Sequence, residues 1–354
     1  MLKLAMLPAR QGDSLWITYG PQDAQHHLLI DGGPERSDIL RSRICRRLSI
    51  AQTLHIDLLV VTHVDNDHIG GVLELLEDLP HGLTFGDIWF NAYRHLLPRD
   101  VLGPDQGDRL SKVLDKRELP WNLAFGGGPV AIPNTGDLPR LKRDDGLVLT
   151  LLGPDRDDLK RLHKMWCKVV NEKGEAEETA SGRKPEDILG RHDVWPPDIA
   201  ELARKDFEPD RGEANGSSIA LLVEYDNKRI LCAADAFAGR IASSLDRLPM
   251  GEERLKLEAF KLSHHGSRKS TSSDLLKRVA CNSFLISTNG SYFGHPDAET
   301  MARVLIHGGK NPEVVFNSGG PYASRWTDPK IRNAPAFRTR FPDGFGDEGI
   351  EIAF

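Results

Sequence analysis

A chain of 354 residues, 39% hydrophobic and 28% charged, has enough apolar residues to bury a sizeable core and too many for a disordered protein. A formal net charge of -6 argues against a surface coated in positive charge for indiscriminate nucleic-acid binding, while leaving room for a local basic groove. No apolar run approaches the ~20 residues that cross a bilayer, and "MLKLAMLPARQGDSLWITYG" meets polar residues too early for a secretory core. The expected place is the cytoplasm, with no membrane partner. Cys45, Cys167, Cys232 and Cys281 form no C-x-x-C pair and read as free thiols in a reducing compartment.

In chain order, "LKLAML" and "SLWITYG" read as strands, and "HHLLIDGG" as a third that ends at Asp31, Gly32 and Gly33. Residues 35–54 make a basic helix with Ile39, Ile44 and Leu48 near one face. "IDLLVVT" is apolar and β-branched, as suits a strand covered on both faces, and it runs into "HVDNDHIGG" at 63–71. Because "VLELLEDL" then repeats apolar residues at helical spacing, the motif is a strand-to-helix loop in which Gly70 and Gly71 let the helix start close to the sheet. Strands at "GDIWFN" and "GLVLTLLGP" enclose a helix and a glycine-rich hairpin over 93–145. A charged, broken stretch at about 156–213 reads as a partly mobile insertion within a single domain spanning 1–354, with helices at "LKRLHKMW" and "PPDIAELARKDF". Next comes a hairpin of strands 218–225 and 229–234, turning at Asp226 and Asn227 and ending at Asp235. The strand "LEAFKLSHHGS" ends in His264 and His265, and "SFLIST" leads to "NGSYFGHP". Asp31, His63, Asp235, His264 and Asn289 thus stand at strand ends, where α/β proteins build their sites.

Imidazole and carboxylate together suit zinc, manganese or iron, and two adjacent divalent ions need about six to eight such ligands. In "HVDNDH", His63 and Asp65 can project toward one ion while Asp67 and His68 turn with the loop toward a second. Helix capping alone needs one acceptor, not two histidines and further carboxylates. Asp235 could be a turn residue and "SHHGS" a phosphate-binding pair, but their co-occurrence with the first motif favours one shared site. Trp16, Trp89, Trp166, Trp195 and Trp326 read as packing residues, since no aromatic interleaves with a basic stripe.

"THVDNDHIGG", "DGG" after an early strand, a strand-terminal Asp and a further His resemble the pattern of the metallo-β-lactamase superfamily. With "QGDS", "LLIDGG", "NGSSIALLVEY", "KLSHHGSRKST" and "GHP" added, the chain is most similar to the branch around the soluble metallo-β-lactamase-type domain of the DNA-uptake protein ComEC. That resemblance implies an α/β fold, a four-layer αββα sandwich with mixed sheets, a metal site along one edge between them, and hydrolysis by a metal-activated water. It implies two divalent ions, Zn2+ or Mn2+. His63 and Asp65 would hold one, Asp67 and His68 the other, with Asp235 bridging and His264 completing the second. Asp65 stands where the superfamily has its usual second histidine, and Asn215 and Ser217 occupy the neighbourhood of another; both departures are shared by the ComEC-like branch. An oxygen-richer site favours manganese.

Strand alternation puts His264 on the face of Leu262 and Phe260, which makes it the expected ligand and leaves His265 as acid to the leaving group. Asp67 would also orient the nucleophile. Ser267, Arg268 and Lys269, with Asn289, His295, Asn215 and Ser217, are the expected substrate-binding residues, while Ser270 or Ser272 serves as a helix cap. Asp31 and Asp13 would hold ligating histidines in place from behind. The expected activity is that of a phosphodiesterase or nuclease on DNA or another nucleotide polymer, with "PRLKRDD" and "RDDLKRLHK" as basic contacts. One alternative is a hydrolase of a small phosphoester, cyclic nucleotide or carboxylic ester, with 156–213 as a lid. Another is a non-catalytic binding or signalling subunit of a defence or uptake system. The expected protein partners are a second copy of the chain, as a homo-oligomer, or other proteins of such a system.

Overall fold

The computed structural model describes residues 1–96, 105–173, 194–249, 253–343 and 348–354. Its first part runs β1 (Leu2–Met6), β2 (Leu15–Tyr19), β3 (His26–Ile30), α1 (Ile39–Ala51), β4 (Leu54–Val60), α2 (Asn66–Glu77), β5 (Leu83–Trp89), α3 (Asp105–Lys116), β6 (Arg140–Lys142), β7 (Val148–Gly153) and α4 (Arg156–Lys173). There follow α5 (Ile199–Ala203), α6 (Glu213–Gly216), β8 (Ala220–Tyr225), β9 (Lys228–Cys232), α7 (Ala238–Leu245), β10 (Leu255–Leu257), β11 (Ala259–Lys261), α8 (Ser273–Lys277), β12 (Val279–Cys281) and β13 (Ser283–Ile286). The chain closes with α9 (Ala298–His307), β14 (Glu313–Phe316), α10 (Pro321–Ser324), β15 (Arg338–Arg340) and β16 (Ile350–Ala353).

Two mixed sheets carry the fold, one of six strands in the order β16-β1-β2-β3-β4-β5 and one of eight in the order β15-β14-β13-β11-β9-β8-β7-β6. Their apposition follows from which residues each strand buries. On β2, Leu15, Ile17 and Tyr19 enter the core shared with the second sheet, while Trp16 faces the helix side. At the end of β4, Leu58 and Val60 point between the sheets and Leu59 and Val61 point toward the helices, so an all-apolar run is buried on both faces as its composition requires. Leu40 and Ile44 of α1, with Ile69, Val72, Leu73 and Leu76 of α2, cover the outer face of the first sheet. Ile241 and Leu245 of α7 and Met301 and Leu305 of α9 join the core of the second. This is the mixed α/β architecture with mixed sheets that the resemblance implied.

The parallel neighbours β3–β4 and β9–β11–β13 end at the same edge of their sheets, and the loops that follow them carry the ionisable residues. Gly71 sits where an added Cβ would lie 2.1 Å from the Gly32 carbonyl oxygen, and at Gly70 it would lie 2.2 Å from the Glu35 nitrogen. Only glycine lets α2 approach the Asp31 loop this closely.

Some local expectations change. The stretch "LEAFKLSHHGS" is not one strand: Leu255 and Leu257 pair with Val279 and Cys281 in a separate two-stranded sheet, and the chain joins the large sheet only from Ala259. Among the described residues of 93–145, the glycines at 126–128 lie in turns rather than in the expected glycine-rich hairpin, and the hairpin is formed by β6 and β7 around Gly146. Of the 156–213 stretch, α4, α5 and α6 are regular, and residues 174–193 lie outside the described residues. Among the described residues no helix is long and apolar enough to cross a membrane.

Candidate metal centre

Asp31 follows β3 in a left-handed conformation (φ 59°) and is fully buried. Its Oδ1 accepts from the Thr62 amide at 2.8 Å and its Oδ2 from the Thr62 hydroxyl at 2.7 Å, which ties the end of β3 to the end of β4. The same Oδ2 accepts from Nδ1 of His68 at 2.8 Å. This fixes the tautomer of His68 and turns its Nε2 toward Asp235 Oδ1, 3.5 Å away. Nδ1 of His63 donates to the Thr62 hydroxyl at 2.9 Å, leaving Nε2 for Asp65 Oδ2 at 3.6 Å and Asp235 Oδ2 at 3.8 Å.

Neither carboxylate of "HVDNDH" is diverted to helix capping. Asp65 occupies the N-cap position of α2, yet its side chain makes no cap hydrogen bond. Asp67 points back into the cluster, its Oδ2 3.4 Å from His265 Nε2. Gly12 of "QGDS" admits this arrangement, since a Cβ there would lie 1.8 Å from the Asp67 carbonyl oxygen.

The second sheet contributes Asp235 and two consecutive histidines. β11 ends at Lys261, and residues 263–266 form a tight turn in which His264 (φ 47°) and His265 (φ 54°) are both left-handed. Strand alternation therefore does not govern them, and the preference for His264 on that ground falls. Nδ1 of His265 donates to the Ser287 carbonyl at 2.9 Å, and its Nε2 lies 3.3 Å from His68 Nε2 and 3.8 Å from Asp235 Oδ2. With one nitrogen bonded to the backbone and the other inside the cluster, His265 is not placed as acid to a leaving group. His264 approaches the same oxygen of Asp235, with Nε2 3.7 Å from Oδ2, and its Nδ1 is flanked by Asp210 at 3.3 Å and Asn215 at 3.2 Å. Asp210, inside the charged stretch, had no sequence signal of its own.

The donor set fits divalent cations. His63 Nε2 and Asp235 Oδ1 are buried without a hydrogen-bond partner. Within the protein, two imidazole nitrogens facing each other at 3.3 Å call for a cation or a proton between them. The field has the same sign. Burial opposes ionisation of Asp67, but His265 and His68 hold its carboxyl down at about 2. Burial likewise opposes charging of His265, but Asp235, Asp13 and Asp67 push it up to about 10. His68 is also driven well upward, against burial, by Asp235 and Asp31.

Of the remaining expected residues, Asp13, Asn215 and His295 touch the cluster histidines. Asp13 is buried with Oδ1 3.3 Å from His265 Nδ1. The Arg268 amide donates to Asp297, and its guanidinium lies 3.7 Å from Glu299. Lys269 contributes its carbonyl to the Asp210 amide. His295 is buried, its ring 5.7 Å from that of His264 and its Nδ1 3.4 Å from Asp297. Several expected contacts are otherwise engaged: Ser217 donates to the Ala214 carbonyl, the Ser267 hydroxyl accepts from the Lys269 amide, and Asn289 Oδ1 accepts from Ser291. Ser272 caps α8 by accepting from the Leu275 amide at 3.1 Å.

A fold of two apposed mixed sheets with a histidine and aspartate cluster along their shared edge defines a class of metal-dependent hydrolase. Residues 7–290 match the model of the metallo-beta-lactamase superfamily, and the chain belongs to that superfamily. No curated protein sequence matches it. Among solved structures it is similar to the metallo-beta-lactamase fold protein YhfI from Bacillus subtilis, at 9% identity over 100% of both chains with a TM-score of 0.40. It is also similar to a diphosphatase from the PhnP family, at 10% identity over 100% of this chain and 98% of that one with a TM-score of 0.38. A third similarity is to CmlA, a diiron β-hydroxylase from Streptomyces venezuelae, at 11% identity over 100% of this chain and 54% of that one with a TM-score of 0.39.

Proposed function

We propose that this chain is a metal-dependent phosphodiesterase whose substrate class is DNA or another nucleotide polymer. The observation that carries the reading is the convergence of the Nε2 atoms of His63, His68, His264 and His265 on the one carboxylate of Asp235. His63, Asp65, Asp235 and His264 would hold one divalent ion, and Asp67, His68, Asp235 and His265 the other. His264 would thereby supply the nitrogen that Asp65 does not, which brings Zn2+ level with Mn2+ as the first ion. When bound, such a pair lowers the pKa of a water toward neutrality and draws charge from phosphoryl oxygens.

The chain's own groups orient the reactants. Asp67, ionised and held against His265, would accept a hydrogen bond from the attacking water. Lys269, whose ammonium has no partner among the described residues, would draw in a phosphate beside Arg268. His295 would contact a phosphoryl oxygen from the His264 side. The ComEC-like motif set supports a nucleic-acid substrate. A second reading, a small phosphoester, is favoured by the pairing of the basic segments: Arg140 with Glu224, Arg143 with Asp57 and Asp145, and Lys160 with Asp157. Purified protein supplied with Mn2+ or Zn2+ and offered linear DNA, RNA and bis(p-nitrophenyl) phosphate separates these. Cut polymer supports the proposal, and cleavage of the chromogenic diester alone moves the substrate to a small phosphoester. Inertness toward all three, with ions bound, would leave the non-catalytic binding subunit.

A further inference from the structure

Lys261 is a fully buried lysine inside an otherwise apolar strand segment, "AFKL", beneath the metal cluster. Its ammonium forms an ion pair with Asp13, 248 positions away in the chain and itself buried, and donates to the Leu262 carbonyl at 3.1 Å. Asp13 Oδ2 takes the lysine. Asp13 Oδ1 has no hydrogen-bond partner and lies 3.3 Å from Nδ1 of His265.

A pair placed there only to join the loop before β2 to the second sheet would be a poor choice. Two buried charges lose their hydration, and apolar residues of similar volume commonly stabilise as well or better. The charges do have a use at this position. A carboxylate behind an imidazole makes the far nitrogen a stronger donor to a cation and holds the ring's orientation. Asp13 can act this way only while it remains an anion in a dry interior, which requires a fixed counter-charge. Lys261 supplies that charge, and its second bond holds the backbone one residue before the strained turn that carries both histidines.

We propose that Lys261 is a positioning residue for the second metal ion, acting through Asp13 on His265. This role rests on the proposed metal site, and Lys261 itself is fully buried. It is distinct from the role of Asp31, which braces His68 from the first sheet.

The test compares wild type, Lys261→Met, Asp13→Asn and the charge-neutral double variant Asp13→Asn/Lys261→Met. Two readouts are taken on the folded protein, the thermal midpoint and Zn2+ affinity by competition with a chromogenic chelator, with the Co2+ absorption spectrum as a signature of the ligand field. Lys261→Met is expected to weaken the second ion about 10–100-fold and to alter the Co2+ spectrum, leaving the first ion's affinity within about twofold. The double variant is expected to recover the midpoint, because no buried charge is left unpaired, while keeping the weak second ion. If the double variant regains both midpoint and affinity, or if Lys261→Met binds two ions as wild type does, Lys261 is a structural pair and the inference is wrong. Wild-type protein that binds no ion would instead overturn the metal site on which it rests.

Discussion

At the scale of single residues, the cluster is a set of donors each held from behind. Thr62, Asp31 and the Ser287 carbonyl take the Nδ1 protons of His63, His68 and His265, so the free nitrogens face inward. In protein stripped of cations the titration of the cluster has a definite sign. Asp67, held near 2 against an ordinary 3.8, contributes stability that is present above pH 3.8 and lost as pH falls through about 2. His265, raised from 6.5 to about 10, contributes stability that is present below pH 6.5 and lost as pH rises through about 10. Stripped protein should therefore show its unfolding midpoint falling on both flanks, and a midpoint that stays level from pH 6.5 to 10 would contradict the arrangement. Asp31, His63 and Asp235 stood out in the sequence because each ends or follows a buried strand, and His68 because it shares one short motif with His63. His264 and His265 were not separable there, because the left-handed turn that orients them has no alternating pattern to read. Lys261 and Asp210 stayed unread because their partners come from elsewhere in the chain.

At the scale of elements, two features of the sequence can be given different jobs by mutation. Gly71 lets α2 rest on the Asp31 loop, so Gly71→Ala meets a backbone atom that cannot yield and should cost about 1–3 kcal/mol in denaturant unfolding. It should also weaken metal binding, since the helix carries His68. Ser272 only caps α8, so Ser272→Ala should cost about 1 kcal/mol and leave kcat unchanged. Equal effects of the two substitutions on turnover would show that the division between brace and cap is wrong. The helix and strand periodicities located α1, α2, β4 and the β8–β9 hairpin. The break at Glu258 was invisible because Leu255 and Leu257 satisfy the same alternation while pairing in another sheet.

At the scale of the whole molecule, the sheets bring residues more than two hundred positions apart to one edge, and several cations of the two basic segments are paired with carboxylates. Because Arg140, Arg143 and Lys160 are bound to carboxylates, the two basic segments offer fewer free cations to release counterions from a polynucleotide. If DNA is cleaved as proposed, the logarithm of kcat/KM should fall with the logarithm of salt at a slope smaller in size than about 2. A slope several times steeper would demand a basic groove outside the contacts described. The two-sheet architecture was legible through the family resemblance of the motifs at its strand ends, whereas the pairing of Arg140 with Glu224 and Arg143 with Asp57 was not, since contacts between distant positions leave no local trace.

The most direct measurement of the central claim is anomalous diffraction at the zinc or manganese edge from crystals grown with the ion. The expected map has two peaks about 3.5–4 Å apart with the Asp235 carboxylate between them, one contacted by Asp67, His68 and His265 and the other by His63 and His264. No peak at Asp235, or ions bound only at surface carboxylates elsewhere, would contradict it.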